Sequence, residues 1–174
     1  MRTALLAALL LVGCRQEVNW LPDPAWASIP VTVEWSAIDP TFDSSLVDAM
    51  GVWNHAAGCA VLVRAHDDAS ANVSVSTYDG SICGSSATNG LDLNRDAGAG
   101  ASRCSSDRAE VKFREMPDLM TVYVRAGHNF GHVLGIAHDR SALMQAAPPL
   151  DGMIWPSDAD GAAIGKRYCH KGTP

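Results

Sequence analysis

This chain is predicted to fold as one α+β domain. Its 174 residues are about one domain's worth, enough to bury a sizeable core. Short segments with apolar residues at every second position alternate with longer ones in which apolar residues recur every three or four, the periods of strands and helices. No internal repeat is visible.

The chain opens MRTALLAALLLVGC, with Arg2 as a basic start, an apolar run from Ala4 to Val12, and Gly13 before Cys14. The run is shorter than the roughly 20 residues that span a bilayer, so it reads as an export signal. Leu11-Val12-Gly13-Cys14 resembles the lipobox of bacterial lipoproteins. That resemblance implies cleavage before Cys14, lipidation of Cys14 and stable anchoring by several acyl chains. Arg15, in place of an aspartate, points to the outer membrane or cell surface. Residues 1–13 are therefore expected to be signal peptide, 14–29 the lipidated cysteine and a Pro-rich tether, and 30–174 the folded domain.

Val31 to Trp35 alternates as a half-buried strand. From about 44 to 57, Leu46, Val47, Met50, Trp53 and Ala57 line one face of a helix, with Asp43 or Ser44 to cap it and Gly58 to end it. Ala60 to Val63 and Asn72 to Ser76 are two more short strands. Between Tyr78 and Ser106, Gly, Ser, Ala, Asn and Asp predominate, predicting long loops with one short edge strand. Asp92, Asn94 and Asp96 hint at a Ca2+ loop, but its glycine comes one place late and Arg103 stands where a bidentate glutamate belongs, so a solvated turn is the expected form. A second long helix is predicted from near Pro117 through Leu134, and a last one after Trp155-Pro156, capped by Ser157.

A net charge of −6 with scattered Lys and Arg excludes a basic nucleic-acid footprint. Export places Cys59, Cys83, Cys104 and Cys169 in an oxidising compartment, where two disulfides are expected. Three pairings are open; Cys83–Cys104 with Cys59–Cys169 is the one favoured.

The segment HNFGHVLGIAH, residues 128–138, carries the chemistry. His128 and His132, four apart on a helix, project from one face and can share a metal ion. Catalytic zinc wants a third protein ligand and an open position. Gly135 can take a left-handed conformation that stops the helix and returns His138 to the same ion. His55, His66 and His170 have no such spacing and are read as ordinary surface or core residues.

His128-Asn-Phe-Gly-His132-Val-Leu-Gly135-Ile-Ala-His138 resembles the zinc motif of the metzincin metallopeptidases, His-Glu-x-x-His-x-x-Gly-x-x-His, except that Asn129 replaces the glutamate. Ser141-Ala-Leu-Met144 resembles the Met-turn of that clan, and the order of elements from about 30 to 170 is similar, closest to matrixin-like bacterial members. The resemblance implies a twisted mixed sheet, a helix before the active-site helix, a C-terminal helix, one Zn2+ on His128, His132 and His138, and Met144 below it. It implies a metalloendopeptidase whose cleft takes a peptide in extended conformation, with Ala146 to Leu150 walling a pocket. In such an enzyme the glutamate is general base and acid; Asn129 has no usable pKa and can at most orient a water. The expected outcome is a site that binds zinc while turnover falls by about 10²–10⁴. The alternative is a non-catalytic, lipid-anchored protein using the same cleft to bind peptides or partners. Asp139 is expected to support a ligand or cap the following turn.

Overall fold

The computed structural model describes residues 18–65, 71–83, 85, 86 and 98–169. The expected signal peptide, Cys14, His66, His170 and the Asp92–Asp96 segment lie outside the described residues. The elements run β1 (Val31–Glu34), α1 (Asp43–Ala57), β2 (Leu62–Arg64), β3 (Val73–Thr77), β4 (Ser81–Ile82), β5 (Ser85–Ser86), β6 (Ala99–Arg103), β7 (Ala109–Phe113), α2 (Leu119–Val133) and α3 (Asp158–Ile164).

Five strands form one sheet in the order β2-β1-β3-β7-β6. The first four are parallel, and β6 joins as an antiparallel edge. Register sets the apolar side chains in rows: Val33 beside Val73, Val75 beside Val111, and Val111 beside Ala101. Val31, Val33, Val73, Val75, Val111 and Phe113 are fully buried in the same core as Trp53, Leu46 and Phe130 of the helices. The opposite face carries Thr32, Ser74, Ser76 and Glu110, all half-buried. The result is a mixed two-layer α/β domain, consistent with the α+β expectation.

Local chemistry shifted several expected boundaries. Asp43 is the first residue of α1 rather than its cap; its carboxylate accepts from Trp35 Nε1 at 2.9 Å and pairs with Arg64 at 2.7 Å. Helix α1 ends at Gly58 with φ 75°, as expected. Helix α2 starts after Pro117, because Asp118 caps it by accepting from Thr121 N at 2.8 Å. Ser157 caps α3 in a reciprocal box with Asp160, after which the chain widens into a π-helical turn over Gly165–Cys169. The expected strand at 60–63 lies at Leu62–Arg64, with its start tied to α1 through Asn54, whose Oδ1 accepts from Val61 N and Leu62 N. The loop-rich stretch holds the expected edge strand, β6, and also the small β4–β5 pair. Strand β7, which fills the sheet between β3 and β6, was not anticipated at all.

Both favoured disulfides are present: Cys59–Cys169 joins the end of α1 to the last turn, and Cys83–Cys104 joins the ends of β4 and β6. Among the described residues, no helix is long and apolar enough to cross a membrane.

Candidate metal centre

Helix α2 carries His128 and His132 one turn apart, and their Nε2 atoms lie 3.0 Å from each other. The helix then stops in a Schellman turn: Gly135 N–H donates to His132 O and Ile136 N–H to Gly131 O, both at 2.9 Å. Gly135 has φ 97°, a conformation a side chain would resist, which is why a glycine stands there. The reversal brings His138 Nε2 to 3.2 Å from His132 Nε2 and 3.3 Å from His128 Nε2. The three nitrogens of the expected ligand set therefore converge.

Two of the rings are oriented by backbone carbonyls. His128 Nδ1 lies 2.7 Å from Leu143 O, and His132 Nδ1 lies 2.7 Å from Ile136 O. A carbonyl only accepts, so each Nδ1 carries the hydrogen, and a neutral ring then offers Nε2 as an acceptor. Burial, followed by the nearby His128, pushes the His132 pKa down to about 3, so this ring is neutral over the physiological range. Two acceptor nitrogens as close as those of His128 and His132 repel one another, and a cation between them would relieve that. Nitrogens bound at 2.0–2.1 Å to a tetrahedral ion sit about 3.3–3.4 Å apart, close to the spacing found. The geometry and the donor set fit a metal ion, and this group could hold one.

The floor of the site is closely packed. A Cβ at Gly131 would come within 2.4 Å of Met144 Sδ and 2.7 Å of Trp53 Cζ2, so only a glycine lets them reach the helix between the two histidines. Trp53 is fully buried and held by its Nε1–H, which donates to Gly127 O at 2.7 Å. Met144 O accepts from Asp139 N at 3.0 Å, while Asp139 Oδ1 accepts from Ser141 N at 2.7 Å. Asp139 thus caps the turn that leads to Met144, one of its two expected roles.

Asn129 is 3% exposed, and its Nδ2 donates to Arg125 O at 2.8 Å, one turn back along its own helix. Its amide nitrogen thus donates to backbone rather than to the histidines. Glu34 and Glu110 are engaged elsewhere, with Ser36 and with Cys83 N.

A cavity of about 720 Å³ opens beside His132 and His138. One wall is the edge strand, Ala101 to Arg103; the other is Leu21 to Asp23. That second wall is the N-terminal segment, where Trp20 pairs antiparallel with Ile136, Leu21 N–H donates to Gly135 O and Ala137 N–H to Asn19 O. Sequence reasoning gave no sign of this pairing, nor of Arg103 as a cavity residue, because both depend on contacts across more than a hundred or some thirty positions. Ala146 to Leu150 do not line this cavity, and Leu150 is 37% exposed. His55 lies apart from the centre, edge-on to Trp155. Cys83, Cys104 and Glu110 also bring ligand atoms together, but the two sulfurs are spent in their disulfide. Compared with models of known protein families and with curated protein sequences, the chain matches none.

Proposed function

We propose that this is an exported zinc-binding domain of metzincin type, anchored through a lipidated Cys14, whose cleft takes an extended peptide and whose centre hydrolyses it weakly or not at all. The observation that carries the reading is the convergence of three Nε2 atoms within 3.0–3.3 Å, two of them on rings fixed by backbone carbonyls. Two disulfides agree with an oxidising, extracellular setting. The order of elements and the methionine packed under α2 support the metzincin part of it.

His128, His132 and His138 would hold the ion. Zinc so bound supplies a Lewis acid that polarises a carbonyl and makes water more acidic near neutral pH. The chain's own residues do the rest. The antiparallel edge strand β6, whose outer margin pairs with no other strand among the described residues, would offer that margin to an extended backbone, as in strand addition. Asn129 takes the place where a peptidase needs a group to accept a proton and return it to the leaving amine, and an amide can do neither.

A specific observation favours the purely binding version: the Asn129 amide nitrogen donates to Arg125 O. The test is to compare zinc content and peptide hydrolysis in the parent protein and in Asn129→Glu. Both should bind zinc, and the glutamate form should hydrolyse peptides about 10²–10⁴ faster. A parent within tenfold of the glutamate form would rule out the silent reading; absence of zinc from both would rule out the whole proposal.

A further inference from the structure

The cavity beside the histidines has a charge pattern that none of the preceding roles uses. Arg103, the last residue of β6, is half-buried in its wall. Its guanidinium lies 3.5 Å over the Trp26 ring, and that ring is fixed by its own Nε1–H donating to Val133 O at 2.7 Å. Arg103 donates to the carbonyls of Ser105 at 3.0 Å, Ser106 at 2.5 Å and Pro24 at 3.4 Å. All of these partners are neutral, and among the described residues no carboxylate forms an ion pair with it. Burial lowers its pKa, and Tyr168, Asp23 and Asp107, which act on it only through space, offset that loss of water in part.

Its surroundings do not restore the balance. Asp23 is the acidic side chain in the cavity lining and Asp107 lies outside it; both act on Arg103 only through space. Arg167, stacked 4.2 Å over Trp20 behind the same segment, adds a second positive charge that opposes the first. In the lining Arg103 and Asp23 balance, so a divalent ion on the three histidines would make the cavity net positive. A guanidinium held rigidly by an aromatic face and three carbonyls, with N–H groups to spare, is preorganised for an anion.

We propose that Arg103 forms an anion-selective subsite in this cleft, so that the peptide taken beside the histidines carries an acidic side chain. This rests on the peptide-cleft reading and names the class of peptide. The test is calorimetric titration of the zinc-loaded full-length protein with short extended peptides that differ only in one Asp, Asn or Lys, moved along the sequence. At one register the Asp peptide is expected to bind about five- to tenfold more tightly than Asn, with Lys weakest, and the advantage should shrink in about 0.5 M salt. Arg103→Gln should erase the advantage with zinc content unchanged, and Arg103→Lys should keep part of it. Equal affinities for the three peptides, or a preference that survives Arg103→Gln, would overturn the subsite and leave the peptide cleft intact. If none of the peptides binds, the peptide-cleft reading itself fails. The parent peptide series decides the matter even if the glutamine variant does not fold.

Discussion

Glycine to alanine in a helix interior ordinarily stabilises by up to about 1 kcal/mol, because alanine has less backbone freedom to lose. This protein offers the substitution in two helices with opposite expected signs. At Gly51, exposed in α1, a new Cβ meets nothing within 4 Å. Gly51→Ala should therefore stabilise by about 0.5–1 kcal/mol. At Gly131 the same carbon would stand 2.4 Å from Met144 Sδ and 2.7 Å from Trp53 Cζ2. The thioether can swing aside; the indole cannot, since it is fully buried and hydrogen-bonded to Gly127 O. Overpacking of this kind costs about 1–3 kcal/mol, enough to cancel and reverse the helix gain. Relief requires α2 to move away from the Met144 turn, and that turn supplies Leu143 O, the partner of His128 Nδ1. Loss of such a supporting bond weakens metal binding about 10–100-fold. Urea unfolding of the zinc-free variants, followed by zinc titration, measures both effects. If Gly131→Ala proves as stable as the parent, with unchanged zinc affinity, the packing argument for the floor of the site is refuted.

Two further predictions concern the histidines. Because burial holds the folded pKa of His132 at about 3 against an unfolded value near 6.5, the unfolded chain binds a proton that the folded chain refuses between those values, and stability falls as pH drops through that window. The metal-free protein should lose about 2 kcal/mol from this group by pH 5, and urea midpoints should show that loss reduced in His132→Gln; identical pH slopes would defeat the assignment. His138 is exposed, so His138→Ala should change metal-free stability by no more than about 0.5 kcal/mol. Yet it should cut zinc affinity by about a hundredfold or more, removing roughly 2.7 kcal/mol of the stabilisation that saturating zinc confers; an unaltered zinc-induced shift in melting temperature would remove His138 from the ligand set.

What could be read from the chain and what could not divides along the range of the contacts. His128 and His132 follow from helical spacing, and the return of His138 from one glycine, all within eleven residues. The helix ends at Gly58 and Ser157 were legible for the same reason. Strand β7 was not: Glu110 and Lys112 are poor strand formers, and the segment is a strand because β3 and β6 pair with it on either side. The start of α2 was misread because proline at the first turn and aspartate at the cap compete for adjacent positions, and the Asp118 side chain decided it. In the site, the Asn129 residue type was legible, but the direction of its amide was not. The stacking of Arg103 on Trp26 joins residues 77 positions apart in numbering, and no local pattern announces it.

The bond between Cys59 and Cys169 encloses α2, all three histidines and the edge-strand wall of the cavity within one covalent ring. A cut by a foreign protease anywhere inside that ring would not release a fragment. The severed ends would stay tethered, and the two pieces would separate only once a reductant opened the ring. Outside the cell, such a molecule can be nicked and still hold its parts in place.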